Sequence, residues 1–142
     1  MIEVLVVLVI VAIGLAIAEP GFQNLMANQR ARAAATGLHS ALLKTRSEAV
    51  KRNADATLAP TGIAWEGGWR ILDAASKVVF DQQALSGVSI TGGPAQVVYD
   101  STGRIATGAA PSFEVASTAI STIRRCVTVD PSGRPYLKAT SC

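Results

Sequence analysis

The sequence predicts an α+β fold in which a long N-terminal helix precedes a β-rich C-terminal head. The segment from Val4 to Ala18 has no charged or hydrogen-bonding side chain, and after Pro20 apolar residues recur at helical spacing. From Thr57 onward, short segments with strand character alternate with Gly, Pro, Asp and Ser. A chain of 142 residues suffices for one head domain once this N-terminus is set aside.

The apolar segment is expected to be the membrane half of the helix, residues 1–21. As a helix, Val4–Ala18 spans about 22 Å, somewhat short of the roughly 30 Å hydrocarbon core of a bilayer. A cleaved secretory signal is the competing interpretation, since Ala16-Ile17-Ala18 has a small-x-small pattern. The chain starts Met-Ile-Glu and lacks a basic n-region, which favours the membrane helix. Glu3 then lies in apolar surroundings, where an acid normally has a function.

Residues 22–53 form the predicted amphipathic half of the helix. Pro20, which lacks an N–H group, is expected to kink or locally unwind the helix where it leaves the membrane. The apolar face predicted to pack on the head consists of Phe22, Leu25, Met26, Ala33, Ala34, Leu38, Ala41, Leu42, Ala49 and Val50.

Residues 22–142 form the predicted head, which consists of this amphipathic helix and a β-rich region over residues 57–142. The predicted strands are Gly62–Trp65, Trp69–Leu72, Val78–Asp81, Val88–Thr91, Gln96–Asp100, Ser112–Val115, Ile123–Asp130 and Pro135–Lys138. Trp65 and Trp69 flank Gly-Gly, and we expect their rings to cover a sheet edge, with a ligand platform as the alternative.

Two segments of the head echo each other. Val97–Arg104 and Val127–Arg134 both contain a β-type run followed by Asp, a Gly three residues later and then Arg. An Asp can accept hydrogen bonds from the turn that it opens, and a Gly can close the turn with positive φ. The echo predicts two similar hairpin turns, each followed by an arginine.

The N-terminal half of the chain resembles type IV pilins. Met1–Ile10 looks like the start of a mature pilin, with Glu3 at the position of the pilin glutamate. Glu19–Phe22 resembles the Pro-x-Phe step of pilins, and Arg46–Arg52 is similar to a helix end typical of the GspH/FimT group. The pilin leader, its Gly and the first two mature residues are missing from this similarity, with trimming and a wrongly chosen start codon as the alternative explanations. A basic leader ending in Gly-Phe-Thr directly upstream would decide both the class and the processing.

The resemblance implies a type IV pilin-like fold and a structural function: a minor pilin that helps initiate or complete pilus assembly. Glu3 would pair with the α-amine of an adjacent subunit; the alternative is an acid that extends to the lipid headgroups. The implied partners are other major and minor pilins and, before assembly, the bacterial inner membrane, crossed once with the head in the periplasm. A GspH-type pseudopilin of a type II secretion system is an alternative.

Cys126 and Cys142 are the two cysteines of the sequence. In an exported chain an even number of cysteines is compatible with a disulfide, and two free thiols are the alternative. The segment Cys126…Ser132-Gly133-Arg134…Cys142 is also similar to the C-terminal hairpin of the FimT and FimU minor pilins, which is why we place the chain nearest to them.

Binding of extracellular DNA for uptake is a second functional hypothesis. The FimT Gly-Arg-x-Arg motif linked to DNA binding is here Gly133-Arg134-Pro135-Tyr136, which keeps one arginine. Phosphate contacts and base stacking are expected of Arg134, Arg124, Arg125, Lys138 and Tyr136, and Arg104 is a further candidate on the same hairpin surface. The competing interpretation is a set of solvated strand edges protected by charge.

We expect no enzyme activity, no metal and no cofactor. His39 is the one histidine of the sequence, and a lone helical histidine is more often a surface or packing residue than a base. The sequence has no Cys/His pattern with metal spacing, no phosphate loop and no nucleophile elbow.

Overall fold

The computed structural model describes residues 2–106 and 108–142, with the backbone alone for residues 15–20. One helix, α1 (Ile2–Arg52), precedes a head with a short 3-10 helix at Trp65–Gly67 and eight described strands. The strands are β1 (Ala56–Pro60), β2 (Trp69–Leu72), β3 (Val78–Gln82), β4 (Val88–Thr91), β5 (Val97–Tyr99), β6 (Ser112–Ser117), β7 (Arg124–Val129) and β8 (Pro135–Lys138). The α+β class predicted from the sequence is confirmed.

Helix α1 is continuous, so the local unwinding expected at Pro20 does not occur. Proline removes one backbone hydrogen bond, but its fixed φ of about −65° is compatible with a helix. The ring of Pro20 lies outside the described residues, as do the side chains of Leu15–Ala18 that end the predicted membrane segment. Among the described residues, no helix reaches the length and hydropathy needed to cross a membrane.

The second half of α1 is anchored to the head by a narrow buried stripe. Its members recur every three or four residues, and all are small or aliphatic: Ala27, Ala31, Ala34, Ala35, Leu38, Ala41, Leu42, Thr45 and Ala49. The Thr45 hydroxyl donates to the Ala41 carbonyl oxygen at 2.8 Å, which satisfies the polar group inside this stripe. Phe22, Leu25, Met26, Ala33 and Val50, predicted on the buried face, are exposed because the stripe is narrower than the apolar pattern.

The head consists of two antiparallel four-stranded sheets, and α1 contacts strands of both. The strand order is β3-β2-β1-β5 in the first sheet and β4-β6-β7-β8 in the second. Buried side chains of the helix and both sheets form one cluster, in which Leu58, Ile71, Phe113 and Val127 have no exposed surface. Sequence reasoning missed β1, because Ala-Thr-Leu-Ala-Pro has little strand propensity, yet β1 pairs with both β2 and β5.

The predicted strand Gly62–Trp65 was wrong. This segment belongs to the connection between β1 and β2, which is closed by a hydrogen bond from the Thr61 N–H to the Gly68 carbonyl oxygen at 2.9 Å. Ile63 is fully exposed, and the chain turns into the 3-10 helix at Trp65. The strands Trp69–Leu72, Val88–Thr91 and Pro135–Lys138 coincide with the predicted ones.

The two echoing turns are present and lie against each other. In each, the N–H of the glycine donates to the carbonyl oxygen of the Asp three residues earlier at 2.9 Å, and the glycine has positive φ. A Cβ added at Gly133 would lie 2.1 Å from the Gly103 carbonyl oxygen. Arg46 of α1 donates from Nε to the same carbonyl oxygen at 2.9 Å. We call the paired turns, residues 100–104 and 130–134, the tip.

Gly133→Ala is expected to separate the paired turns and destabilise the head. The matched control is Gly108→Ala, because Gly108 has nearly the same φ (81° against 82°) but open space around its Cβ position. Both variants place an alanine at positive φ, which costs roughly 1–2 kcal/mol. Gly133→Ala adds about 1–3 kcal/mol because its Cβ would clash with the Gly103 carbonyl oxygen. Chemical denaturation of the two variants measures the difference, and equal losses of stability would contradict the close packing of the turns.

Candidate functional site

The C-terminal end of the chain is held on the second sheet by a disulfide. Cys126 of β7 is joined to Cys142, with 5.0 Å between the two Cα atoms, so the pairing predicted from the sequence is present. Strand alternation places Arg124, Cys126 and Thr128 on one face of β7, and Cys126 is almost completely buried. The bridge therefore fixes the residues after β8 over the end of the β7–β8 hairpin opposite the tip.

At the tip, two arginines leave adjacent turns. Arg104 and Arg134 are both exposed, and the backbone contact between Gly133 and Arg104 brings the turns together. The Arg134 guanidinium carbon lies 5.8 Å from the centre of the Tyr136 ring, which is within range of a cation–π contact. The structure thus places Arg134 beside Tyr136 and, on the adjacent turn, the further candidate Arg104. The recurring Asp-x-x-Gly-Arg pattern was the sequence signal for this residue.

Two carboxylates share the tip with these arginines. The hydrogen bond from the Ser132 hydroxyl, with further ones from the Arg134 N–H and the Tyr136 hydroxyl, lowers the pKa of Asp130 to about 2. The Thr102 hydroxyl and the Arg104 N–H likewise lower the pKa of Asp100. Both carboxylates are therefore ionised at neutral pH and oppose the two arginines, so the net positive charge of the tip is small.

The other predicted basic residues lie at the opposite end of the same hairpin. Arg124 begins β7, about 17 Å from the Asp130 turn at the rise of an antiparallel strand. Lys138 ends β8 opposite Cys126. Arg124 forms an ion pair with Glu114 at 2.8 Å, and Arg125 donates from Nη2 to Asn28 Oδ1 at 2.8 Å. The predicted residues thus form two separate groups.

Helix α1 contributes two more arginines to this second group. Asn28, which accepts the hydrogen bond from Arg125, lies one helical turn before the exposed Arg32. Arg30 extends over Gly87, the residue before β4, where an added Cβ would lie 3.0 Å from the Arg30 Nη1 atom. We call Arg30, Arg32, Arg124, Arg125 and Lys138 the basic rim. Arg30 and Arg32 are two residues apart in the sequence, and no sequence pattern predicts which strands they approach.

Glu3, the residue predicted to act in subunit assembly, lies in the first turn of α1 and is exposed. It is far along the helix from the head, whose buried stripe begins at Ala27. The structure therefore separates Glu3 from every other candidate residue.

The two tryptophans are core residues. Trp65 meets Phe113 edge to face with 4.9 Å between ring centres, and its Nε1 donates to the Pro94 carbonyl oxygen at 2.9 Å. Trp69 is buried against Gly37 of α1, where an added Cβ would lie 3.5 Å from the ring. Neither ring is available as a ligand platform.

A groove of about 580 Å³ lies beside the loop before β5. Its walls come from residues 92–97, 105 and 108–112, which are small, apolar or amide-bearing. None of these lining residues is titratable, so the groove offers neither an acid–base pair nor charged groups. The candidate functional side chains lie away from this groove, at the tip, on the basic rim and at Glu3.

A long helix packed through its second half on antiparallel sheets is the architecture of type IV pilin-like proteins. The fold is similar to that of the minor pilin FimU of Pseudomonas aeruginosa, at 18% identity and a TM-score of 0.63, over 75% of this chain and 91% of that one. A second crystal form of FimU gives 17% identity and a TM-score of 0.66, over 75% and 87% of the two chains. The minor pseudopilin EpsH of the Vibrio cholerae type 2 secretion system is similar at 18% identity and a TM-score of 0.61, over 78% and 97%.

The family model of the type II transport protein GspH matches residues 34–133, and the chain therefore belongs to the GspH family. No curated protein sequence matches the chain significantly. The matched range begins within the buried stripe of α1 and ends at the tip, so it contains both sheets except for β8. The resemblance to the GspH/FimT group is confirmed.

Proposed function

We propose that this protein is a minor pilin, a structural and non-enzymatic subunit of a type IV pilus that helps initiate or complete assembly. Before assembly the first half of α1 anchors it in the bacterial inner membrane, with the head in the periplasm. In the fibre the same half of the helix packs against the helices of other pilins. Family membership and fold support this proposal.

The observation that carries the proposal is the difference between the two halves of α1. Between Ile2 and Ile13, ten large apolar side chains are each between 52% and 79% exposed and occupy every face of the helix. Within the described part of the chain the head covers none of them, since burial begins at Ala27. An apolar surface of this extent must be buried away from water, and either lipid or neighbouring helices bury it.

The alternative is a pseudopilin of a type II secretion system, as the family description itself suggests. The same helix and head serve both assemblies, and the TM-scores to FimU and EpsH are close. We place the pilus first because the disulfide and the arginine after Gly133 resemble the C-terminal hairpin of FimT and FimU.

Glu3→Gln is expected to impair incorporation into fibres and to leave insertion in the membrane intact. The variant keeps the shape of the side chain but removes the charge that would pair with the α-amine of a neighbouring subunit in lipid. We expect incorporation, measured by immunoblotting of sheared fibres, to fall at least about tenfold, equivalent to about 1.4 kcal/mol. Asp81→Asn, the same change at an exposed site of the head, is the control; equal incorporation of both variants would contradict the role of Glu3.

Binding of DNA is the second candidate function, favoured by the pairing of Arg104 and Arg134 beside Tyr136 at the tip. Two arginines offer about two phosphate contacts, and a tyrosine ring can stack on a base. Because Asp100 and Asp130 are ionised beside them, the affinity is expected to be low.

For this DNA function, titration of the protein with a short duplex is expected to give a log–log salt slope of about −2. Arg104→Ala and Arg134→Ala should each weaken binding several-fold. Lys77→Ala, which removes one charge from the β2–β3 turn, should not. DNA binding that is unchanged by salt and by both arginine variants would exclude the tip as the binding site. Absence of DNA binding at low salt would exclude the DNA-binding function.

A further inference from the structure

The basic rim gathers positive charge at one end of the head. Its five side chains come from α1, from β7 and from the end of β8, and Glu114, paired with Arg124, is the carboxylate in contact with them. The rim is separated from the tip by about 24 Å along α1, taking Arg30 and Arg46 as markers at 1.5 Å per residue. It is therefore a surface distinct from the tip, on the side of the head that faces the first half of the helix.

Exposed apolar side chains lie immediately below the rim on the same helix. Phe22 and Leu25 are 64% and 55% exposed, and Met26 is 37% exposed. Arg30 follows Met26 by about 6 Å and Phe22 by about 12 Å along the helix axis. The order along α1 is thus apolar side chains first and guanidinium groups roughly one to two turns later.

We infer that the basic rim binds the phosphate groups of anionic phospholipids, with Phe22, Leu25 and Met26 at the boundary of the hydrocarbon layer. This inference rests on the membrane anchoring in the proposed function and assigns the residues that lie on the bilayer surface. The polar zone on each side of a bilayer is about 5–7 Å thick, which matches the distance of about 6 Å along the helix between Met26 and Arg30 and places Phe22 deeper. Each Arg or Lys near an anionic surface strengthens attachment about fivefold.

A lipid surface fits the rim better than a nucleic acid does. Apolar side chains next to cations match a bilayer, whose hydrocarbon and phosphate layers are stacked, but add nothing to contacts with a phosphate backbone. The hydrogen bond between Arg125 and Asn28 also ties β7 to this helix segment, so the strand and the helix present their charges together. The head would then stand on the membrane in one orientation before the subunit enters a fibre.

The test uses the full chain in nanodiscs of zwitterionic phosphatidylcholine, with or without about 30% phosphatidylglycerol to give the surface a negative charge. Arginine modification by phenylglyoxal is followed residue by residue by mass spectrometry. Rim arginines are expected to react at least about threefold more slowly in the anionic discs, while Arg104 and Arg134 at the tip react equally in both. Salt at about 0.5 M should abolish the difference, because it shortens the screening length below the width of the polar zone.

Arg30→Glu combined with Arg32→Glu should remove the protection of Arg124, whereas Arg104→Glu combined with Arg134→Glu should preserve it. Equal reaction rates in the two kinds of disc would overturn the inference, and so would protection of rim and tip alike. Selective protection of the rim by short duplex DNA added to zwitterionic discs, without protection by anionic lipid, would assign the surface to nucleic acid instead. A chain that fails to enter nanodiscs would contradict the membrane anchoring itself, a different result from insertion without protection.

Discussion

The buried stripe on the second half of α1 is the interaction on which the rest of the structure depends. Its positions recur every three or four residues from Ala27 to Ala49, and most are alanines. Small side chains let the sheets approach the helix backbone closely, as the contact between Gly37 and Trp69 shows. Both sheets meet on this stripe, so a change in its register along the helix would displace every strand and the arginines that the strands carry.

This packing attaches the head to the second half of the continuous helix α1 and leaves the first half of the helix uncovered by the head. Arg46 and Arg125 add polar ties at the two ends of the contact, one to the Gly103 carbonyl oxygen and one to Asn28. Because the helix is continuous, the position of Glu3 relative to the head is set by the same element that organises the core. In an assembly of staggered helices, the axial offset between neighbouring helices near Glu3 would therefore also set the offset between their heads. We regard this rigid coupling as the physical reason for a single long helix.

Much of the fold was predictable because its signals are local. The helix followed from its apolar spacing, and the paired turns from the recurrence of Asp, Gly and Arg in two segments. Strand β1 was missed because its burial is decided by neighbours on both sides and not by its own residues. The predicted buried face of the helix included residues that are exposed. Sequence alone does not show where the contact of the helix with the head ends and its contact with a membrane or a partner begins.

The candidate sites were predictable as residue types but not as groups. Arg124, Arg125, Arg134 and Lys138 are close in sequence, yet Arg124 and Arg125 begin β7 and Arg134 follows the turn after its far end. Asn28 and Arg125 are nearly a hundred residues apart, and their contact, which brings Arg32 one turn later toward β7, depends on how α1 packs on that strand. The ionisation of Asp100 and Asp130, which limits the charge of the tip, depends on hydrogen bonds inside the turns.

The central claim is that the first half of α1 contributes nothing to the folding of the head and serves other molecules. It is tested most directly by comparing the free energy of unfolding of the head in the full chain, held in detergent, with that of a chain of residues 23–142. We expect a folded, monomeric fragment whose free energy of unfolding agrees with that of the head in the full chain within about 1 kcal/mol, because the fragment keeps the entire buried stripe. A fragment that is unfolded, or less stable by several kcal/mol, would show instead that the first half of the helix is part of the head.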